Sequence, residues 1–255
     1  MVNIAAVKGG FTIRPVLLCG EITPRQKEAL EALGFAAAVL PACPALPPPL
    51  SRHPDLLLYP LGDGFLLDKE YGEKNAAFFD SLRLPRFYSR QRLGPVYPRD
   101  VLFNALPLGK TVYGSKFAAE EVKSGAFRFV PIRQGYARCS AALIGGGIVT
   151  ADPSLAKALE RDGREVLRIR PGFVALPGYS YGFLGGASLT ISPELTVFFG
   201  RLEDHPDYPA MAAFAKRRGT SLLSLSNEPL TDRGGGFPAL PLPSSRPPEK
   251  EDFPA

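Results

Sequence analysis

The stretch IVTADPSLAKALERDGREVLRI, residues 148–169, carries the pattern on which the fold prediction rests. Residues 148–150 form a short apolar strand, and Asp152 and Pro153 supply a helix N-cap and a first helical position. A helix is predicted over 155–161. Gly163 then suits the left-handed backbone position that ends many helices, and a second strand is predicted over 165–169. The stretch therefore predicts one strand–helix–strand unit.

The same order of elements recurs along the chain. The further copies lie at 16–40, 65–88, 110–132 and 195–225. Most copies have a glycine after the helix, as at Gly125, but the copy at 65–88 has Pro85 and a predicted helix at 73–79. The copy at 110–132 has Ser115 as its expected cap and a helix at 117–123. A period of about 35–55 residues is typical of one supersecondary unit per repeat.

A further segment that begins with polar or aromatic residues precedes the middle strand of each unit. We call these the opening segments, and each is predicted to form a strand; they lie at 53–57, 97–101, 134–139, 179–183 and 232–237. The last opening segment has no helix after it, and the first helix has no opening segment before it. The two ends are therefore predicted to pair and to close a five-bladed α/β-propeller. Residues 12–242 form one domain, and 243–255 form a flexible polar tail.

Composition narrows the class of protein. Of 255 residues, 45% are apolar and 22% are charged, which is typical of a globular protein. Because no apolar run approaches about 20 residues and the N-terminus lacks a signal-peptide pattern, a cytoplasmic protein without a membrane span is expected. The net charge of +5 is spread along the chain, so nucleic acid is not an expected partner.

Cysteine and glycine patterns argue against a cofactor. The three cysteines lack a CxxC spacing, which disfavours disulfides and structural zinc. The glycine clusters at 145–147, 185–186 and 234–236 do not match a phosphate-binding loop. They are predicted to form hairpin turns or places of close backbone approach. No metal or cofactor is therefore expected. Separately, the chain is predicted to be a monomer or dimer.

Two local patterns point to a known family. Tyr-Pro-Arg-Asp at 97–100 is similar to the Thr-Arg-Asp segment of arginine deiminases. Gly-Tyr-Ala-Arg-Cys-Ser at 135–140 is similar to the His-Leu-Lys-Ser segment of dimethylarginine dimethylaminohydrolases. With five repeated units, the sequence resembles the guanidine-modifying, or pentein, superfamily, which includes amidinotransferases. Within it, the chain is most similar to an uncharacterised bacterial branch with a domain of unknown function.

The sequence departs from that family at two catalytic positions. The resemblance implies a cysteine nucleophile in the last opening segment, but residues 232–237 read Asp-Arg-Gly-Gly-Gly-Phe. It also implies a histidine in the preceding motif, where Tyr136 stands instead. The standard pair of nucleophile and base is therefore missing. The same fold also hosts a non-catalytic ribosome anti-association factor, so fold alone does not decide function.

In such a ring the opening segments are expected to meet at one mouth of the axis. This predicts a shared site made of His53, Asp55, Asp100, Asn104, Gln134, Tyr136, Arg138, Cys139 and Tyr181. Asp55 and Asp100 are predicted to hold a cation and Arg138 a carboxylate, so the expected ligand is a small guanidino or amino-acid-like molecule. Asp100 and Asn104 are expected on one strand, where residues four apart share a face.

Two other functions stay open from the sequence. In the first, the protein is a hydrolase or amidinotransferase with Cys139 as nucleophile, activated by Arg138, and His53 as base. Against this, Cys139 precedes the apolar run 141–144 and His53 precedes Pro54, so a buried core thiol and a turn histidine explain both residues. In the second, the ring is a non-catalytic protein-interaction module that uses its outer face.

Overall fold

A computed structural model describes residues 15–126 and 128–239 of the chain. The predicted residues 12–14, 240–242 and the tail 243–255 lie outside this part. The elements, in chain order, are β1 (Val16–Cys19), α1 (Pro24–Ala32), β2 (Ala36–Val39), α2 (Pro54–Leu57), β3 (Tyr59–Leu61), β4 (Gly64–Asp68), α3 (Lys69–Lys74), α4 (Ala76–Ser81), β5 (Arg86–Ser89), β6 (Leu106–Leu108), β7 (Thr111–Ser115), α5 (Glu120–Ser124), β8 (Arg128–Ile132), β9 (Ala141–Ile144), β10 (Gly147–Thr150), α6 (Pro153–Arg161), β11 (Val166–Arg168), β12 (Ser188–Ser192), β13 (Leu195–Phe198), α7 (Tyr208–Arg217), β14 (Ser221–Ser224) and β15 (Gly236–Pro238). Short 3₁₀ turns lie at Pro48–Leu50 and Leu202–Asp204.

The described strands form five sheets of three strands each. In each sheet the middle strand pairs antiparallel with the strand that opens the unit and parallel with the strand that follows the helix, as β7 does with β6 and β8. This arrangement confirms the predicted five-bladed α/β-propeller of ββαβ units.

The ring is closed by the two ends of the chain. β15 pairs antiparallel with β1, with Leu17 opposite Pro238, and β1 pairs parallel with β2, with Val16 opposite Ala36. The Phe237 ring lies 5.6 Å from that of Phe65, which joins the closing sheet to its neighbour. The predicted pairing of N- and C-terminal segments is therefore confirmed.

The core lies between the sheets and the helices that cover them. Its largest fully buried side chains include Leu18, Phe79, Phe103, Phe198 and Phe214, which come from several units, with Phe198 and Phe214 in the same one. Each such side chain stabilises the fold by about 1.5–3 kcal/mol relative to an exposed position. In residues 15–126 and 128–239, no helix is long and apolar enough to cross a membrane.

The first four opening segments are not strands, which corrects the prediction, and in the fifth only Gly236 and Phe237 belong to a strand, β15. His53 is the N-cap of α2, because Pro54 fits the first helical turn and starts a helix there. Asp100 and Asn104 lie in consecutive turns, and the Asn104 N–H donates to the Val101 carbonyl at 3.1 Å. In the first four units strand pairing begins only after the opening segment, so the expectation that residues four apart share a strand face was wrong for Asp100 and Asn104.

Two predicted helices also differ. Ser115 ends β7 instead of capping a helix, its Oγ accepts from the Phe117 N–H at 3.2 Å, and α5 begins at Glu120. The helix predicted at 73–79 is two short helices that meet at Asn75. Gly125 has a φ of −76°, so it does not take the left-handed position predicted for it.

Candidate functional site

Four of the five opening segments contribute to one cavity of about 240 Å³. Its walls are mainly aromatic and apolar, with Tyr136, Leu176, Tyr179, Tyr181 and Phe183 among them. The ionisable side chains at its wall, besides the tyrosines, are His53, Cys139 and Asp232. The turns described above bring these groups together, because each opening segment delivers its polar residues just before its strand begins.

Asp232 is held rigidly at the cavity. Its Oδ1 accepts from the Gly234 N–H and its Oδ2 from the Phe183 N–H, both at 2.9 Å. Gly186 packs against the same carboxylate, and a Cβ added there would lie 2.0 Å from Asp232 Oδ1. The predicted close backbone approach at the 185–186 glycines therefore occurs, and its purpose is to leave room for Asp232.

Cys139 lies between two buried carboxyl groups. Its thiol donates to Asp55 Oδ2 at 2.6 Å, and its Sγ lies 3.9 Å from Asp232 Oδ2. Burial, followed by Asp232 and Asp55, raises the pKa of the Cys139 thiol well above its usual value, and Arg138 opposes this only weakly. The expected activation of the thiol by Arg138 is therefore wrong, because desolvation and two acids outweigh one guanidinium.

Asp55 lies behind Cys139 and does not line the cavity. Burial first, and the nearby Asp232 second, raise the pKa of the Asp55 carboxyl to about 8. Arg138 and the hydrogen bond from Cys139 act in the opposite direction. At neutral pH Asp55 is therefore mainly protonated, which leaves Asp232 as the carboxylate that faces the cavity.

His53 is buried beside Asp232. Its Nδ1 lies 3.7 Å from Asp232 Oδ1, which is too long for a hydrogen bond, and in the described part of the chain this nitrogen has no hydrogen-bond partner. Burial lowers the pKa of the His53 imidazole, and the field of Asp232 only partly restores it. The ring is therefore mainly neutral at pH 7, with a nitrogen directed at the carboxylate.

Asn104 and Asp100 support the wall from behind. Asn104 Oδ1 accepts from the backbone N–H of Arg138 at 2.8 Å and from that of Cys139 at 3.3 Å. Asp100 Oδ2 accepts from the Tyr136 hydroxyl at 2.7 Å. The structure thus gives both residues a positioning role, Asp100 through Tyr136, which does line the cavity. The ligand contact of Asp100 stays a prediction.

Arg138, Gln134 and Tyr181 are placed differently from one another. The Arg138 side chain is half-buried, donates to the Ala141 carbonyl at 3.3 Å, lies over the Phe237 ring and does not line the 240 Å³ cavity. Gln134 lines an adjacent cavity of about 340 Å³ and donates to Asp152 Oδ2 at 3.3 Å. Tyr181 is 42% exposed and lines both cavities, so it forms part of the wall between them.

A third cavity, of about 260 Å³, shares His53, Asp232 and Leu176 with the first. Two guanidinium groups line it, those of Arg52 and Arg233, together with Glu21. Arg52 Nη1 donates to the Leu40 carbonyl at 2.6 Å, while Arg233 Nε is buried without a hydrogen-bond partner among the described residues. Basic groups thus line a cavity that adjoins the aromatic one at His53, Leu176 and Asp232.

Sequence reasoning missed Asp232, Arg233 and the aromatic wall residues Tyr179 and Phe183. The available signal was position, since Asp232 is the first residue of the last opening segment. The same cluster contains metal-donor atoms, since a nitrogen of His53, the sulfur of Cys139 and an oxygen of Asp232 all lie within 4.8 Å of one another.

Comparison of the sequence with protein families gives one assignment. The chain belongs to a family of unknown function, DUF6873, whose model matches residues 17–237. No curated protein matches the sequence.

Comparison of the fold with solved structures gives members of the pentein fold. A variant of dimethylarginine dimethylaminohydrolase from Pseudomonas aeruginosa, in complex with citrulline, is 10% identical and aligns with a TM-score of 0.49 over 84% of this chain and 93% of its own. AgrE in complex with ornithine and NAD⁺ is 12% identical, with a TM-score of 0.48 over 88% of this chain and 38% of its own. ArgZ, an arginine dihydrolase from cyanobacteria, is 14% identical, with a TM-score of 0.45 over 82% of this chain and 36% of its own.

Proposed function

We propose that this member of DUF6873 binds a small ligand that carries a guanidinium or similar planar cation at one end and a carboxylate at the other. One observation carries the proposal. The Asp232 carboxylate is buried, yet among residues 15–126 and 128–239 it has no lysine or arginine nitrogen within 4.0 Å. A buried carboxylate without a counter-charge is costly, so a cation in the adjoining cavity would offset that cost.

The cavity suits the cationic end. Its volume of about 240 Å³ lies below the roughly 300–1,000 Å³ of pockets for drug-sized molecules, so a small head group fits best. Tyr179, Tyr181 and Phe183 supply aromatic faces, which attract a cation by about 0.5–2 kcal/mol each when well placed. The planar guanidinium also matches the two oxygens of a carboxylate such as Asp232.

The neighbouring cavity suits the carboxylate end. Arg52 and Arg233 line it, and it meets the first cavity at His53 and Asp232. The unpartnered Nε of Arg233 is a buried donor that a ligand carboxylate would satisfy. We therefore assign the carboxylate to Arg233 and Arg52 in place of the predicted Arg138.

Calorimetric titration with arginine, with agmatine, which lacks the carboxylate, and with guanidinium chloride tests this proposal. Asp232→Asn is expected to weaken binding of all three by at least tenfold, because it removes the carboxylate that faces the cation. Arg233→Gln is expected to weaken arginine at least fivefold and to leave agmatine unchanged. Asp204→Asn, at a carboxylate that is 66% exposed, is the matched control. Absence of binding by all three compounds, or equal binding by wild type and Asp232→Asn, would refute the proposal.

A second function, hydrolysis or transfer at a guanidino or amidino carbon, is favoured by the placement of Cys139 at the cavity with a His53 nitrogen within 4.8 Å of its sulfur. In this reaction His53 accepts the thiol proton and the sulfur adds to the central carbon. The C–N bond then breaks, and the departing amine takes the proton from His53. Water or an acceptor amine subsequently displaces the thiol.

Product analysis separates the two functions. Catalysis predicts amine or ammonia release that is lost in Cys139→Ser, whereas a binding protein turns over none of the compounds that it binds. Because the pKa of Cys139 is raised, its alkylation in the free protein is expected to be slow at neutral pH, as for the buried Cys19, whose pKa burial raises to about 12. Fast alkylation of Cys139 well below pH 8 would show instead that a stabilised thiolate is present.

A further inference from the structure

Three donor atoms of different chemistry meet at the mouth of the ring. They belong to His53, Cys139 and Asp232, and all lie within 4.8 Å of one another. The three residues come from three opening segments, so only the closed ring brings them together. All three are buried, with 4%, 3% and 2% of their surfaces exposed, respectively.

The spacing matches what one small metal ion requires. Zinc binds imidazole nitrogen and carboxylate oxygen at about 2.0–2.2 Å and thiolate sulfur at about 2.3 Å, so the donors of one tetrahedral ion stand about 3–4 Å apart. The distance from His53 Nδ1 to Asp232 Oδ1 is 3.7 Å, and that from Cys139 Sγ to Asp232 Oδ2 is 3.9 Å. Small side-chain shifts would therefore bring all three groups into contact with one ion.

The surroundings of the three groups are those of a supported metal site. The Gly234 and Phe183 N–H groups orient the Asp232 carboxylate, and Asn104 fixes the backbone of Cys139. The His53 side chain is 95% buried. Even so, its Nδ1 has no hydrogen-bond partner in the described part of the chain. A buried imidazole nitrogen directed at a carboxylate and a thiol is an observation that points to a missing ligand.

We infer that His53, Cys139 and Asp232 bind one zinc ion whose fourth coordination position opens into the 240 Å³ cavity. The donor set favours zinc over magnesium or calcium, which take oxygen ligands. Three protein ligands with an open position are the arrangement that zinc uses where a water or another small molecule must reach it. On binding, the Cys139 thiol loses its proton to the solvent and its sulfur bonds to the ion.

This site goes beyond the proposed function and does not depend on it. Both use Asp232, so a zinc ion and a guanidinium ligand are expected to exclude one another. Zinc would also cancel the charge of Asp232 and Cys139 and thereby remove the attraction for a cation. Zinc is therefore expected to act as a competitor of the cationic ligand.

The test titrates metal-free protein with Zn²⁺ alone, with no guanidino compound present. One ion per chain is expected, and Cys139→Ser and His53→Gln should each weaken binding at least tenfold. Cys43→Ser is the matched control, because that thiol is equally buried and lies outside the site. Equal zinc affinity in wild type and Cys139→Ser, or no binding by wild type, would overturn the inference.

Cobalt gives a readout that needs no variant. Co²⁺ in the wild-type protein should show a thiolate-to-metal charge-transfer band and the visible absorption of a four-coordinate ion, and lack of the thiolate band would overturn the inference even if a variant failed to fold. Titration of guanidino compounds in the presence of a chelator then tests the proposed function separately. If zinc binds and guanidino compounds do not, this inference stands and only the proposed function fails. If guanidino compounds bind and zinc does not, this inference fails and the proposed function stands.

Discussion

Asp55→Asn is expected to flatten the pH dependence of this protein's stability. The side chain is 2% exposed, its Oδ2 accepts from the Cys139 thiol, and burial raises its pKa to about 8 from the ordinary 3.8 of a solvated carboxyl. An acid whose pKa is raised by folding binds its proton more tightly in the folded state. Its stabilising contribution is complete below about pH 4 and is lost as the pH rises through the folded pKa. Asparagine stays neutral and of similar size throughout.

The size of this change in the free energy of unfolding follows from the raised pKa of Asp55. Each unit of pH between the two pKa values changes the free energy of unfolding by about 1.4 kcal/mol, so from pH 5 to pH 8 the wild type should lose ~4 kcal/mol relative to the variant. Urea unfolding of both proteins at these two pH values measures the difference. The exposed Asp204→Asn variant controls for charge removal and should track the wild type. The stability difference between wild type and Asp55→Asn should change between pH 5 and pH 8. If it changes by less than about 1 kcal/mol, the raised pKa and the burial argument behind it are refuted.

Further perturbations test the supports of the site. Gly186→Ala places a Cβ 2.0 Å from Asp232 Oδ1, so it is expected to cost about 1–3 kcal/mol in thermal unfolding and to abolish guanidine binding; unchanged binding would contradict the packing described. Tyr136→Phe removes the hydroxyl that donates a hydrogen bond to Asp100 Oδ2, so it should lower the free energy of unfolding by about 1–3 kcal/mol. An unchanged free energy of unfolding would show that this hydrogen bond does not stabilise the fold. NMR titration should give His53 a midpoint below the ordinary value of about 6.5, since burial lowers its pKa, and a midpoint above 7 would show that Asp232 dominates instead.

The sequence predicted the repeated units well because their signals are local. The strand at Val16–Cys19 and the cap at Asp152 follow from short-range rules on apolar runs and side-chain caps, and the structure has both. Ring closure was also predictable, since the last opening segment lacked a helix and the first helix lacked an opening segment. Local rules failed at Ser115, where a hydroxyl that resembles a cap bonds within the turn and the helix starts later.

The site was predictable only as a neighbourhood. The common position of the opening segments gathers His53, Asp55 and Cys139, and this needs no knowledge of side-chain direction. Which side chains then line the 240 Å³ cavity depends on turns that have no periodicity, and neither Arg138 nor Asp100 lines it. Asp232 was missed because its role depends on two backbone N–H groups, which no residue type reports.

Closure of the ring by β15 has a consequence for how the protein is made. The pairing of β15 with β1 joins residues more than 200 positions apart, and contacts of such high sequence separation form late in folding. Asp232 lies just before that strand, so the nascent chain holds four nearly complete blades and no finished site until its last segment docks. A molecule bound by Asp232 then stabilises the closed ring. At one hundred times its dissociation constant, it would raise the free energy of unfolding by about 2.7 kcal/mol.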